Sequence, residues 1–85
     1  MEYQGVDLKE VVQVYPSVLV KYGEDLTTIS FQWYEENKES VEKEGYVLIF
    51  VTKDQTRKEL FFKTYQQLQE ALEEVSHLLE NLHSK

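Results

Sequence analysis

Cysteine is absent from the chain, which removes a disulfide framework, a thiolate metal site and a thiol nucleophile together. Proline occurs once and glycine three times, at Gly5, Gly23 and Gly45. There is little material for long irregular loops, and each glycine stands alone, so no glycine-rich phosphate loop exists. Long hydrophobic runs are missing as well. No run approaches the ~18 apolar residues of a membrane span, and the start MEYQGVDLKE has neither a basic flank nor an apolar core segment. Positive charge is the scarcer sign: 9 Lys and Arg stand against 16 Asp and Glu, for a net charge of -7. That balance repels phosphate backbones at long range and disfavours nonspecific nucleic-acid binding. These absences leave a cytoplasmic protein with no membrane partner as the expectation.

What is present argues for a folded chain. Hydrophobic residues make up 41% and aromatics 13% of 85 residues, enough for one small domain over residues 1–85 that buries ~60–65% of the surface its unfolded chain exposes. The clearest element is C-terminal. Thr64 and Gln67 stand at capping-box spacing, and Leu68, Ala71, Leu72, Val75, Leu78, Leu79 and Leu82 recur along one face, which predicts an amphipathic helix of about five turns. Before it, YVLIFVT (46–52) and KELFFK (58–63) are rich in β-branched and aromatic residues around the polar turn KDQTR, and they read as a hairpin. Upstream, LTTISFQWY alternates Ile29, Phe31 and Trp33 against Thr28, Ser30, Gln32 and Tyr34, the period of a half-buried strand. SVLVKY (17–22) reads as a strand joined to it through GED.

Residues 7–15 fit a short helix bearing Leu8, Val11, Val12 and Tyr15, capped by Asp7 with Glu10, or a strand ending at Pro16; the helix is favoured. The charged connection 35–45 has room for a helical turn ending at Gly45. The expected fold is therefore α+β: a four-stranded antiparallel sheet in meander order, one long C-terminal amphipathic helix packed on one face, and an optional short N-terminal helix.

One helix covers only one face of a sheet. In the strand from Tyr46, both Tyr46, Leu48, Phe50 and the alternate set Val47, Ile49, Val51 are apolar, so both sides want burial. Phe61 and Phe62 must point oppositely; Phe61 shares its side with Glu59 and Lys63 and is expected outside, with Phe62 under the helix. The outer side calls for the N-terminal arm, a second copy of the chain, or another protein. Leu68, Leu72, Val75, Leu79 and Leu82 also follow the spacing of a short coiled-coil seam. Trp33, Tyr34, Tyr46 and Phe61 from the sheet, with Leu78, Leu79 and Leu82 from the helix, are the candidate interface residues, because large apolar groups supply most interface energy.

Catalytic chemistry finds little support. His77 and His83 are six apart and lack the spacing of a helical zinc pair, so no metal is assigned. The serines carry no nucleophile motif, and neighbouring carboxylates such as Glu73 and Glu74 are expected to be solvated. No cofactor is implied and no enzyme is expected. The leading expectation is a small acidic interaction or regulatory protein that forms a homodimer. Two alternatives stand beside it. Lys53, Arg57, Lys58 and Lys63 cluster on one hairpin and, with strand aromatics, suit single-stranded nucleic acid. The order of four strands and a helix is similar to that of a coactivator family that binds single-stranded DNA as a helix-paired dimer, a likeness of element order alone. Conversely, Glu35, Glu36, Glu39, Glu42 and Glu44, with Glu70, Glu73, Glu74 and Glu80, suit an acidic mimic that occupies a DNA-binding protein.

Overall fold

The computed structural model describes residues 2–83. Two short strands, β1 (Glu2–Tyr3) and β2 (Val6–Asp7), pair around a turn in which Gln4 and Gly5 both take positive φ, 50° and 84°. That is the backbone a two-residue hairpin turn demands. The Asp7 carboxylate then accepts the Lys9 N–H at 3.0 Å and caps one 3-10 turn, Leu8–Glu10. The short helix expected over 7–15 stops there. From Val11 the β-branched residues prefer an extended backbone, and Val11, Val12 and Tyr15 belong to the twelve-residue strand β3 (Val11–Tyr22). Pro16 does not end it. β4 (Asp25–Ile29) pairs only with Val18–Tyr22 of β3, so Pro16 lies where β3 has a neighbour on one side only, the setting in which a strand tolerates proline.

Ser30 ends the extended run after β4. Its hydroxyl accepts the Trp33 N–H at 3.1 Å and caps helix α1 (Phe31–Asn37). The strand expected to run through Tyr34 therefore ends at Ile29, and Trp33 and Tyr34 are helical residues. β5 (Glu42–Thr52) starts earlier than expected, so Gly45 caps no helix and lies within a strand. A Cβ at Gly45 would sit 2.7 Å from the Phe62 carbonyl oxygen, and this close backbone approach is what requires glycine. The hairpin to β6 (Arg57–Phe62) and the helix α2 (Tyr65–His83) follow as expected. Thr64 Oγ1 accepts the Gln67 N–H and Gln67 Oε1 accepts the Lys63 N–H, both at 3.1 Å, a reciprocal cap at the start of α2.

The four long strands are antiparallel in the order β4-β3-β5-β6, which is not the expected meander. β3 is long enough to pair with β4 at one end and with β5 along its length. The Ser30 cap lifts the chain out of the sheet after β4, and α1 carries it across to the far side of β3.

Along β5 the side chains alternate as predicted. Tyr46, Leu48 and Phe50 join Leu68, Ala71 and Val75 of α2 in the main core, together with Tyr3, Val6 and Leu8 from the N-terminal hairpin and turn. Phe62 packs against this core from β6. At its other end Phe31 of α1 stacks on Tyr46, with ring centroids 6.0 Å apart, and Tyr65 of α2 closes on both rings at 6.1 and 5.7 Å. Both helices and the N-terminal arm thus occupy one side of the sheet, called inner below. The arm does not cover the outer side.

Candidate functional site

The outer side is built from three cross-strand rows. The register sets Phe61, Val47 and Ser17 in one row, Glu59, Ile49 and Tyr15 in the next, and Arg57, Val51 and Gln13 in the third. Val47 and Ile49 are enclosed by their neighbours at 0% and 1% exposure, whereas Phe61 stands out at 61%. Charge in these rows is balanced, with Arg57 Nη2 4.0 Å from Glu59 Oε2. A shallow cavity of about 260 Å³, lined by Tyr15, Ser17, Thr28, Ile49 and Arg57, continues the surface toward β4. Ser17 Oγ spans its floor by donating to the Ile29 carbonyl at 2.7 Å.

Two stretches of the sheet edge carry features that discourage strand pairing. β6 carries Arg57, Lys58 and Glu59 on the outermost strand. The unpaired half of β3 is interrupted by a register shift between Val11 and Gln13 and by Pro16. Charge, bulges and proline are the devices that stop a strand edge from recruiting another strand.

A second concavity, of about 710 Å³, lies where the β3–β4 hairpin meets α1. Val20 and Ile29 contribute from the strands, and Tyr22, Leu26, Trp33 and Val41 also line it. Trp33 is 42% exposed, whereas the register turns Leu26, 63% exposed, toward the outer side opposite Lys21. The sequence pointed to Trp33 but not to Tyr22 or Leu26. The available signal was the two-residue Gly23–Glu24 turn, with Gly23 at φ 65°, which sets these two residues near one hairpin tip.

A third, polar cleft of about 610 Å³ is lined by Glu2, Asp7, Glu10 and Asp54 beside Lys53 and Lys58. Asp54 is engaged in its own turn: it accepts the Thr52 hydroxyl and the Thr56 N–H. Those bonds, the Thr52 hydroxyl foremost, lower its pKa to about 2. A carboxylate held this way is a turn anchor rather than a proton acceptor near neutral pH. Lys53 and Lys58 face acids in this cleft, Arg57 belongs to the opposite side of β6, and Lys63 lies past the far end of that strand. The structure does not bring the four basic residues into one patch.

The other candidate residues have structural positions. Tyr46 is buried in the core, and its hydroxyl accepts a hydrogen bond from Lys43 Nζ at 2.9 Å. This bond foremost raises the Lys43 pKa. Lys43 Nζ also lies 5.8 Å from the half-buried Tyr34 ring. Leu78, Leu79 and Leu82 pack against this chain's own core, so the heptad-like stripe is largely consumed within the molecule. Of the seven residues singled out, Phe61 and Trp33 remain as large exposed groups.

Among the described residues, no three or more His, Cys, Asp or Glu gather to hold a metal ion, and no helix is long and apolar enough to cross a membrane. No family model, curated protein or solved structure matches the chain.

Proposed function

We propose that the chain is a small non-catalytic interaction protein that self-associates face to face through the outer side of its sheet. The observation that carries this reading is Phe61, a large apolar side chain 61% exposed on the edge strand of a charge-balanced face on which none of the chain's own helices pack. Two copies of a chain with net charge -7 repel each other almost everywhere, so a neutral face is where they approach at least cost. Face-to-face sheets pack at ~10 Å with interleaved side chains. Regulation by assembly, in the cytoplasm and without cofactor or metal, is the role this composition suits.

The face measures roughly 20 Å across four strands by 30 Å along the central pair, about 600 Å². A standard interface buries ~800 Å² per partner. A dimer in the micromolar range is expected. Sedimentation velocity over a concentration series measures it directly: the wild type dimerises, and Phe61→Glu is a folded monomer because an exposed side chain contributes little to the fold. A wild type that stays monomeric at ~1 mM, about a thousandfold above that affinity, excludes this reading.

A further inference from the structure

We infer that the groove between the β3–β4 hairpin and α1 receives a basic segment of a foreign protein, anchored by a large apolar side chain. This site lies on the inner side of the sheet and does not depend on the face-to-face dimer. Its walls carry the composition of an interface centre, with Trp33 and Tyr22 beside Val20 and Ile29. Trp and Tyr dominate measured interface hot spots, particularly in pockets that exclude water. The volume of about 710 Å³ holds one or two bulky side chains of a partner.

The rim decides who that partner is. From Lys21 to Glu44 the chain carries seven carboxylates and three lysines, a local charge of -4 within a total of -7. Lys38 and Lys43 are engaged, and Lys21 stands opposite Glu42 in the β3–β5 register. Lys38 Nζ lies 3.4 Å from Glu35, and Lys43 Nζ is held on the Tyr46 hydroxyl at 2.9 Å. Asp25 lines the groove itself, and Glu24, Glu36, Glu39 and Glu42 adjoin lining residues in sequence. Among the described residues, none of these five acids takes part in an ion pair. A second copy would bring the same acids to the same rim and be repelled, whereas a segment with Lys or Arg around its apolar anchor is attracted and oriented. The fit is to a basic amphipathic helix or strand.

Trp33 is the only tryptophan, so its emission on selective excitation reports the groove directly. The probe is a synthetic amphipathic peptide of about fourteen residues, with Leu and Phe on one face and Lys and Arg elsewhere. One control replaces every basic residue by Glu, and another replaces every apolar residue by Ser. A saturable blue shift with the first peptide alone is expected. Tyr22→Ser and, separately, Val41→Ser weaken it about tenfold. Both variants are checked for folding by circular dichroism and for an unchanged sedimentation profile. Phe61→Glu binds the peptide as the wild type does, which keeps failure of the dimer distinct from failure of this site. Absence of any shift overturns the inference, as does equal binding of the Ser-substituted peptide. A blue shift on concentrating the protein alone also overturns it, because it would mean that a second copy fills the groove.

Discussion

Gly45 and Asp54 illustrate how much a single position can be required to do. At Gly45 even one carbon collides with the Phe62 carbonyl, which is backbone and cannot rotate away. Gly45→Ala is expected to destabilise the fold by about 1–3 kcal/mol, the usual cost of forcing an atom into packed space, and to lower the denaturation midpoint in urea. Asp54 acts through charge. Its folded pKa of about 2 lies below the ordinary 3.8, so its contribution to stability is complete above pH 3.8 and fades as pH falls through about 2. An NMR titration of the Asp54 carboxyl should find that low midpoint; a value near 3.8 would mean that the Thr52 and Thr56 bonds are not formed in solution. The sequence made some single-residue placements readable and others not. Phe61 and Phe62 were assigned to the correct sides because a strand's period admits only one answer. Gly45 was misread because a helix cap and a close strand crossing call for the same residue.

Elements were legible where the pattern admitted one period. The stripe from Leu68 to Leu82 fits only a helix, and α2 formed as expected. Residues 28–34 fit two periods. Ile29, Phe31 and Trp33 alternate like a strand, but Phe31 and Tyr34 are also one helical turn apart, and the hydrogen bond from the Trp33 N–H to Ser30 tips the balance. The contact between Phe31, Tyr46 and Tyr65 then fastens α1 to both sheet and helix. Phe31→Ala should cost about 2 kcal/mol, less than the ~3–5 of a fully buried phenylalanine because Phe31 is only half-buried. Trp33 sits two residues away and should red-shift in emission before the global unfolding transition, which would show α1 detaching first. A single transition with no early change in Trp33 would instead mean that α1 unfolds with the sheet.

At the scale of the whole molecule, strand order was hidden because it depends on which distant segments meet, and β3 and β5 are joined by no turn signal. The candidate surfaces were half visible. Phe61 could be placed from its strand, but the Trp33 groove needs the position of α1, and the basic residues that looked clustered in sequence are separated by the two sides of β6. The two proposed surfaces should respond to salt in opposite directions. The neutral face joins two copies of a chain of net charge -7, so raising salt from about 50 to about 300 mM screens their repulsion and tightens the dimer. The acidic groove loses its attraction for a basic peptide over the same range. Sedimentation and Trp33 titration at both salt concentrations measure this, and a dimer that weakens with salt would indicate that opposite charges, not apolar contact, hold it together.

The ladder between β3 and β5 has a further consequence in the order of synthesis. β3 and β4 are complete by Ile29, but the pairing that makes one sheet needs Thr52 opposite Val11. A ribosome adding ~5–20 residues per second takes about 2–6 s to make the thirty residues from Tyr22 to Thr52. During that interval Val11 to Val20, the longest uncharged run in the chain, waits without β5, and its Val11–Ser17 part has neither edge paired. The acids that follow, from Glu24 to Glu44, emerge before β5 is finished and supply the repulsion that keeps neighbouring nascent chains apart.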